Sequence, residues 1–358
     1  MLIINNFFDL PQPKTDYEKL VVSFCVEWLS GKEEFIIKTS GSTGEPKNII
    51  IKRKQLVASA LKTIHFFELK SIHTFFVALN VSYVAGMMML VRAMQVQAKA
   101  IIVEPSNNPL LALSKDVKID FAAFVPTQVS GIFAQNGGFD LFCKIKNVII
   151  GGAAISESLE EKLKIASNNV FATYGMTETV SHIAIRKINT IEKSNCFRLL
   201  SHVKIGIDDR KCLTINADVT DFETIVTNDL VEIIDELHFK LLGRLDNIIN
   251  SGGVKIQLEK IEKTISENLP SNLQSIRFFA FGVHDELLGQ KLVVVFESKP
   301  FENEQLELLK KTILTHSSKY EMPKAWFFVN EFTETQTQKI DKISIIKNLN
   351  CSLNIINK

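Results

Sequence analysis

Apolar residues along the chain form short continuous runs that alternate with stretches of helical spacing. Residues 17–29 have the spacing of a helix and lead into the strand Phe35-Ile36-Ile37. After Ile49-Ile50-Ile51, apolar positions 56, 60, 61, 64 and 67 place an amphipathic helix on 55–67. Phe75-Phe76-Val77-Ala78-Leu79 reads as a buried strand, followed by a loop at Ser82-Tyr83 and a helix through Met89. Three further runs, Ala100-Ile101-Ile102-Val103, Phe121-Ala122-Ala123-Phe124-Val125 and Asn147-Val148-Ile149-Ile150, are bounded by turn residues, with helices between or after them. Such alternation predicts α/β architecture.

Between 204 and 242 the pattern changes to short strands with tight turns, predicting a small β-subdomain. Turn-forming and polar residues then accumulate from Gly243 to Gly253, the natural domain boundary. Beyond it a helix at 258–268, strands at 276–283 and 291–297, a helix at 304–315, a strand at 326–329 and a helix from Asp341 predict a compact α+β unit.

Length adds a prior of two domains for 358 residues. Net charge is +1, from 41 basic and 40 acidic residues, so no footprint for nucleic acid or an anionic membrane is present, and small molecules are the expected partners. A homo-oligomer is compatible with this composition. Cys25, Cys143, Cys196, Cys212 and Cys351 are dispersed without metal-ligand spacing, as expected of a reducing cytoplasm. The N-terminus has no signal-peptide pattern. Residues 71–91 carry no formal charge, but Asn80, Ser82 and Tyr83 interrupt them and the spacing changes from strand-like to helical, so no membrane span is expected.

Candidate chemistry begins with Thr39-Ser40-Gly41-Ser42-Thr43-Gly44-Glu45-Pro46-Lys47. Glycines that allow close backbone approach, hydroxyl donors and a lysine suit a phosphate grip, with a solvated turn as the plain alternative. A P-loop of the Walker type is excluded, because Gly44 is followed by Glu45-Pro46 rather than by lysine. Beyond the carboxyl ends of the predicted strands, Pro126-Thr127-Gln128 and Gly151-Gly152-Ala153 are loops expected to line a pocket, although Gly151-Gly152 also suits an ordinary tight turn. Tyr174-Gly175-Met176-Thr177-Glu178 combines a ring that could stack on or flank a base, a hydroxyl for a phosphate oxygen and a hard oxygen ligand for Mg²⁺. A capped turn reads equally well there. Asp229 could accept from ribose hydroxyls or cap a turn.

Together with Gly243-Arg244-Leu245-Asp246 and the terminal Thr337-Gln338-Lys339-Ile340-Asp341, these stretches resemble, in order, the motifs of the adenylate-forming acyl-CoA ligases. The resemblance implies a large α/β N-terminal domain over 1–243 with a small β-subdomain, a hinge at 244–247, and a small mobile α+β domain over 248–358. It implies that Thr39, Ser40, Gly41, Ser42, Thr43, Gly44 and Lys47 hold the β- and γ-phosphates of ATP, and that Gly152 and Ala153 flank adenine, with Tyr174 and Gly175 beside them. Thr177 would meet the α-phosphate, Glu178 would bind Mg²⁺, Asp229 and Arg244 the ribose, and Asp246 would be the hinge. Gly252 and Gly253 would lie by the CoA path, and Lys339 would be the catalytic lysine.

The chain departs from the family pattern at Gln336, where proline is usual, at Gln338, where glycine is usual, and in having only 38 residues ahead of the phosphate loop. Tyr83 also stands where histidine is common. The surrounding Leu79-Asn80-Val81-Ser82-Tyr83-Val84-Ala85-Gly86 with Val91-Arg92-Ala93 following, and Asn250-Ser251-Gly252-Gly253-Val254-Lys255, look most like the o-succinylbenzoate-CoA ligases of menaquinone synthesis. Tyr83, Gln128, His182 and Arg198 are candidates to meet the acid. The alternatives are a ligase for another aromatic or medium-chain acid, a carrier-protein loading enzyme, or a non-catalytic adenylate-binding protein. Under the ligase expectation Lys339→Ala abolishes adenylation yet still converts supplied acyl-adenylate and CoA to thioester; equal loss of both half-reactions would remove that role from Lys339.

Overall fold

The continuous apolar runs form the middle of a sheet covered on both faces, which is why they carry almost no polar members. The computed structural model describes residues 1–38, 48–114, 116–190, 195–270, 273, 276–316, 318–335 and 340–356. In chain order the elements are β1 (Leu2–Ile4), α1 (Asp16–Leu29), β2 (Glu34–Lys38), β3 (Asn48–Lys52), α2 (Arg53–Phe67), β4 (Thr74–Val77), α3 (Val84–Gln95) and β5 (Lys99–Ile102). Next come β6 (Phe121–Phe124), α4 (Pro126–Ala134), α5 (Gly138–Cys143), β7 (Asn147–Ile150), α6 (Glu157–Lys164), β8 (Asn169–Gly175) and β9 (His182–Lys187). The strands β10 (Cys196–Leu199), β11 (Val203–Ile207), β12 (Cys212–Ala217), β13 (Ile225–Ile233) and β14 (His238–Arg244) follow. The last are β15 (Ile248–Ser251), β16 (Val254–Gln257), α7 (Leu258–Asn268), β17 (Phe278–Asp285), β18 (Gly289–Glu297), α8 (Asn303–His316), β19 (Ala325–Val329) and α9 (Lys342–Ile356).

Residue contacts divide the chain into two units, Met1–Thr227 with Val231–Leu241, and Asn228–Leu230 with Leu242–Lys358. The large sheet has the order β1-β5-β4-β6-β7-β8-β9-β10-β14-β13-β12-β11. Its centre, β5-β4-β6-β7-β8, is parallel. Alternate residues go to opposite faces: Phe75, Phe121, Ile149 and Phe171 pack with α2 and α3, and Phe76, Ala122, Val148 and Val170 with α4, α5 and α6. The strands expected from 204 onward continue the same sheet in antiparallel fashion through β9 and β10. β1, on a segment with little sequence pattern, pairs antiparallel with β5.

The uncharged stretch 71–91 divides into β4, a loop and the start of α3, and among the described residues no helix is long and apolar enough to cross a membrane. Pro126-Thr127-Gln128, expected as a loop, is instead the first turn of α4, where proline at the helix start loses no needed N–H.

In the second unit β16-β15-β18-β17 are neighbours and β19 runs parallel to β18. α7 and α8 bury Ile261, Ile265, Leu309 and Ile313 in one apolar cluster, and α9 buries Ile345 and Ile346 in another. Gly252 and Gly253, at φ +59° and +83°, form the two-residue turn of the β15–β16 hairpin, a backbone that L-residues rarely adopt.

The loop between β4 and α3 is held tightly. A Cβ on Gly86 would collide with the carbonyl oxygens of Leu79 and Asn80. Gly86→Ala is therefore expected to cost about 1–3 kcal/mol in denaturant unfolding, the usual price of overpacking; unchanged stability would mean that the loop does not sit against the helix.

Candidate active site

Because β4, β6, β7 and β8 are parallel, their carboxyl ends share one edge of the sheet. The segments that follow them carry Tyr83, Gln128 in the first turn of α4, Gly152 and Ala153 to that edge, where the end of β8 and the turn after it place Tyr174–Glu178. Tyr83 caps α3, with its N–H donating to the Asn80 carbonyl at 3.1 Å. Gly152 has φ +85° and is exposed, as is Ala153. A Cβ on Gly175 would collide with the backbone at Ser181 and His182, so this close approach requires glycine.

Two expected contacts involve side chains that the structure buries. Gln128 is 1% exposed. Its Nε2 donates to the Ala78 and Ser106 carbonyls at 3.0 and 3.1 Å, and its Oε1 accepts from Val125 N at 3.3 Å. With these bonds its amide ties the segments after neighbouring strands together. Tyr174, expected to offer a stacking face, is 8% exposed and packs edge-on to Phe239 at 5.2 Å and tilted to Phe197 at 5.9 Å. Its ring is part of the core. Arg198 is exposed and lies over the Phe66 ring at 5.9 Å.

Thr177–Thr179 form one turn of 3₁₀ helix with the Glu178 side chain exposed. Thr179 is fully buried, and its hydroxyl lies 3.0 Å from both Met176 N and Met176 O and 2.8 Å from Ser181 O. Val180 follows at φ +64° and ψ −55°, and Ser181 N donates to Thr179 O at 2.7 Å. This is a three-residue γ-turn of the strained hand, centred on a β-branched residue.

That turn delivers Ser181 and His182 to Arg92, a residue that belongs to the Val91-Arg92-Ala93 stretch of the resemblance but is not among the candidate site residues. Arg92, on α3, is 1% exposed, and its Nη2 donates to Ser181 Oγ at 2.9 Å. Its other contact is Nη1 with Met89 Sδ at 3.8 Å, and Nε has no partner. No carboxylate pairs with it among the described residues, and burial pushes the guanidinium down to about 9. His182 is buried between Ser181 Oγ, 3.3 Å from Nδ1, and Thr63 Oγ1, 3.1 Å from Nε2. Burial first, and Arg92 second, hold it well below the ordinary histidine value. The signal for Arg92 was its place in Met87-Met88-Met89-Leu90-Val91-Arg92-Ala93-Met94, a helix stretch with no polar face to carry it into water.

In the second unit three predicted residues meet. Arg244 grips Asp246 with a two-pronged contact, Nε to Oδ1 at 2.8 Å and Nη2 to Oδ2 at 2.7 Å, and reaches Asp229 Oδ1 at 3.2 Å. The Arg244 contact holds the Asp246 carboxyl below the usual range. Gly243 N-terminal to this group has φ +149°, and a Cβ there would press on Gln257 and Glu259. Gly252 and Gly253 lie exposed at the hairpin turn. Thr39, Ser40, Gly41, Ser42, Thr43, Gly44, Lys47 and Lys339 lie outside the described residues.

A profile of the AMP-binding enzyme family matches residues 31–215. The 2-succinylbenzoate–CoA ligase of Listeria monocytogenes is 22% identical over 348 residues, covering 92% of this chain and 72% of that protein. The Escherichia coli enzyme of the same name is 25% identical, with 80% and 63% covered. The chain spans 61% to 72% of the length of the curated relatives considered. A solved acyl-CoA synthetase (AMP-forming)/AMP-acid ligase II-like protein of Dyadobacter fermentans is 38% identical, covers 96% of this chain and 97% of its own, and has a TM-score of 0.65. The o-succinylbenzoate coenzyme A synthetase of Bacillus subtilis, solved with ATP and magnesium, shares the fold at TM-score 0.71 and 19% identity, with 87% and 69% covered.

A buried guanidinium without a carboxylate is costly. Arg92→Met is therefore expected to raise the thermal unfolding midpoint of the ligand-free protein by the equivalent of about 1–3 kcal/mol. A lower midpoint would show that the charge is already compensated.

Proposed function

The chain belongs to the AMP-binding enzyme family, and from that membership we propose that it activates o-succinylbenzoate with Mg·ATP through an acyl-adenylate and passes the acyl group to CoA. The observation that carries the choice of acid is Arg92. o-Succinylbenzoate has two carboxylates, one to be activated and one to be held. A buried cation whose Nε lacks a partner suits the second.

In the proposed reaction a carboxylate oxygen attacks the α-phosphorus of ATP and pyrophosphate leaves; the CoA thiolate then attacks the acyl carbonyl and AMP leaves. Positioning and charge neutralisation supply most of the rate. Thr177 offers its hydroxyl to the α-phosphate, and Gly152 and Ala153 flank the adenine. Asp229 and Arg244 receive the ribose. The loop 39–47 holds the outer phosphates, and Lys339 neutralises charge in the first half-reaction. Rotation about Asp246 then exchanges Lys339 for the thiol path near Gly252 and Gly253.

Glu178 fits Mg²⁺ as a single exposed carboxylate on a short turn, because that ion keeps several waters and takes much of its shell from substrate phosphates. When bound it neutralises phosphate charge.

The test is thioester formation from o-succinylbenzoate, Mg·ATP and CoA, read by mass spectrometry beside a panel of monocarboxylic acids and a pantetheinylated carrier. The expected outcome is o-succinylbenzoyl-CoA with AMP as the dominant product, and a loss of at least about tenfold in kcat/KM for that acid in Arg92→Met. Preference for another acid, or for the carrier, would overturn the substrate; nucleotide binding without any adenylate would overturn the activity.

A further inference from the structure

Arg92 sets the direction of a hydrogen-bond chain leading away from it. A guanidinium only donates, so Ser181 Oγ accepts from Nη2 at 2.9 Å. The Ser181 proton then goes to His182 Nδ1, 3.3 Å away, which must carry no proton of its own. The ring proton sits on Nε2 and is donated to Thr63 Oγ1 at 3.1 Å, and the Thr63 hydroxyl donates to the Ser59 carbonyl at 3.4 Å. In this order each link from Arg92 Nη2 to the Ser59 carbonyl joins a donor to an acceptor without a charged ring.

The surroundings agree. The ring is buried, and the charged group that bears on it is Arg92 of α3. From α2 it meets Thr63, which does not titrate, and its register partner on β8 is Gly175. A second buried positive charge beside Arg92 would have no counter-ion there.

We propose that His182 is a positioning residue: as a neutral Nε2–H ring it holds the Ser181 hydroxyl as an acceptor and thereby orients Arg92 for the second carboxylate of the acid. The proposal rests on the reading of Arg92 as a carboxylate anchor. Without the ring the Ser181 proton has no other acceptor among the described residues, and the hydroxyl is free to turn away from Nη2. The guanidinium then loses its one strong tether, and its unpartnered Nε is aimed by packing alone.

Two measurements test it. Nitrogen-15 NMR of the imidazole rings, with His182 assigned among the seven histidines by the loss of its signals in His182→Gln, is expected to show the neutral Nε2–H tautomer at neutral pH. An Nδ1–H tautomer or an imidazolium overturns the relay and leaves the Arg92 reading standing. The second readout is the KM for o-succinylbenzoate relative to that for a monocarboxylic aromatic acid. His182→Ala is expected to raise this ratio roughly tenfold with a smaller change in kcat, the scale of one hydrogen bond to a charged group. His182→Gln, which keeps a donor and an acceptor in its amide, is expected to restore most of it. If Arg92→Met raises the ratio and His182→Ala does not, the positioning role is overturned and the anchor stands. If neither moves it, the anchor reading falls and this proposal with it.

Discussion

Parallel pairing of β4, β6, β7 and β8 is the constraint from which the rest of the first unit follows. Parallel neighbours need a crossover between them, and the crossovers supply helices to both faces. Both faces are therefore dry, and the strands must be apolar throughout. The same geometry brings the carboxyl ends to one edge, where backbone that has left the ladder can turn toward a ligand. Gly152 at positive φ, Gly175 against Ser181 and the 3₁₀ turn at Thr177 are three ways of leaving the ladder at that edge.

The runs 75–79, 121–125 and 147–150 could be read directly because a strand buried on both faces leaves an unbroken apolar signature. Motif residues were legible for a different reason: glycine, hydroxyl and carboxylate at fixed offsets have few structural uses in common. Burial of particular polar groups was not legible. Gln128 reads as a candidate to meet the acid because nothing local reveals that the carbonyls of Ala78 and Ser106 come within reach of it. Tyr174 was read as a stacking face because Phe239 is 65 positions away along the chain and only the sheet order brings it near. Arg92 belongs to a stretch that carries the resemblance, yet only its place as a cation inside an all-apolar run implies a buried charge.

The second unit shows how exposed charges contribute specificity more than stability. Arg244 is shared between Asp229 and Asp246, and its side chain is 40% exposed, so water screens much of the attraction. The planar fork nevertheless fixes direction, because both oxygens of Asp246 are engaged at once. Three positions proposed for ribose binding and for the hinge are thereby linked by one guanidinium. A ligand that drew Arg244 toward it would alter the hold on Asp246, which ties nucleotide occupancy to the proposed pivot.

The segment 177–182 gathers several unfavourable features in six residues and its immediate contacts. Val180 holds a positive φ that a β-branched residue rarely tolerates, at a cost of about 1–3 kcal/mol. Arg92 carries a buried charge with an empty Nε, and Ser59 Oγ, one helical turn from Thr63, is also buried without a partner. None of these stabilises the folded chain. Their neighbours hold them in place: Thr179 makes hydrogen bonds on both sides of the strained residue, and Val180 itself is buried. The surroundings thus over-determine a conformation that local energetics disfavours. Such conflicts survive where the arrangement is complementary to something the isolated chain lacks. The partner proposed for it is anionic, because the unsatisfied atom on the charged group is a donor on a cation. A carboxylate held at that point would relieve the largest of these costs on binding, so the cost of the free site and the proposed preference for a dianionic acid have one physical origin.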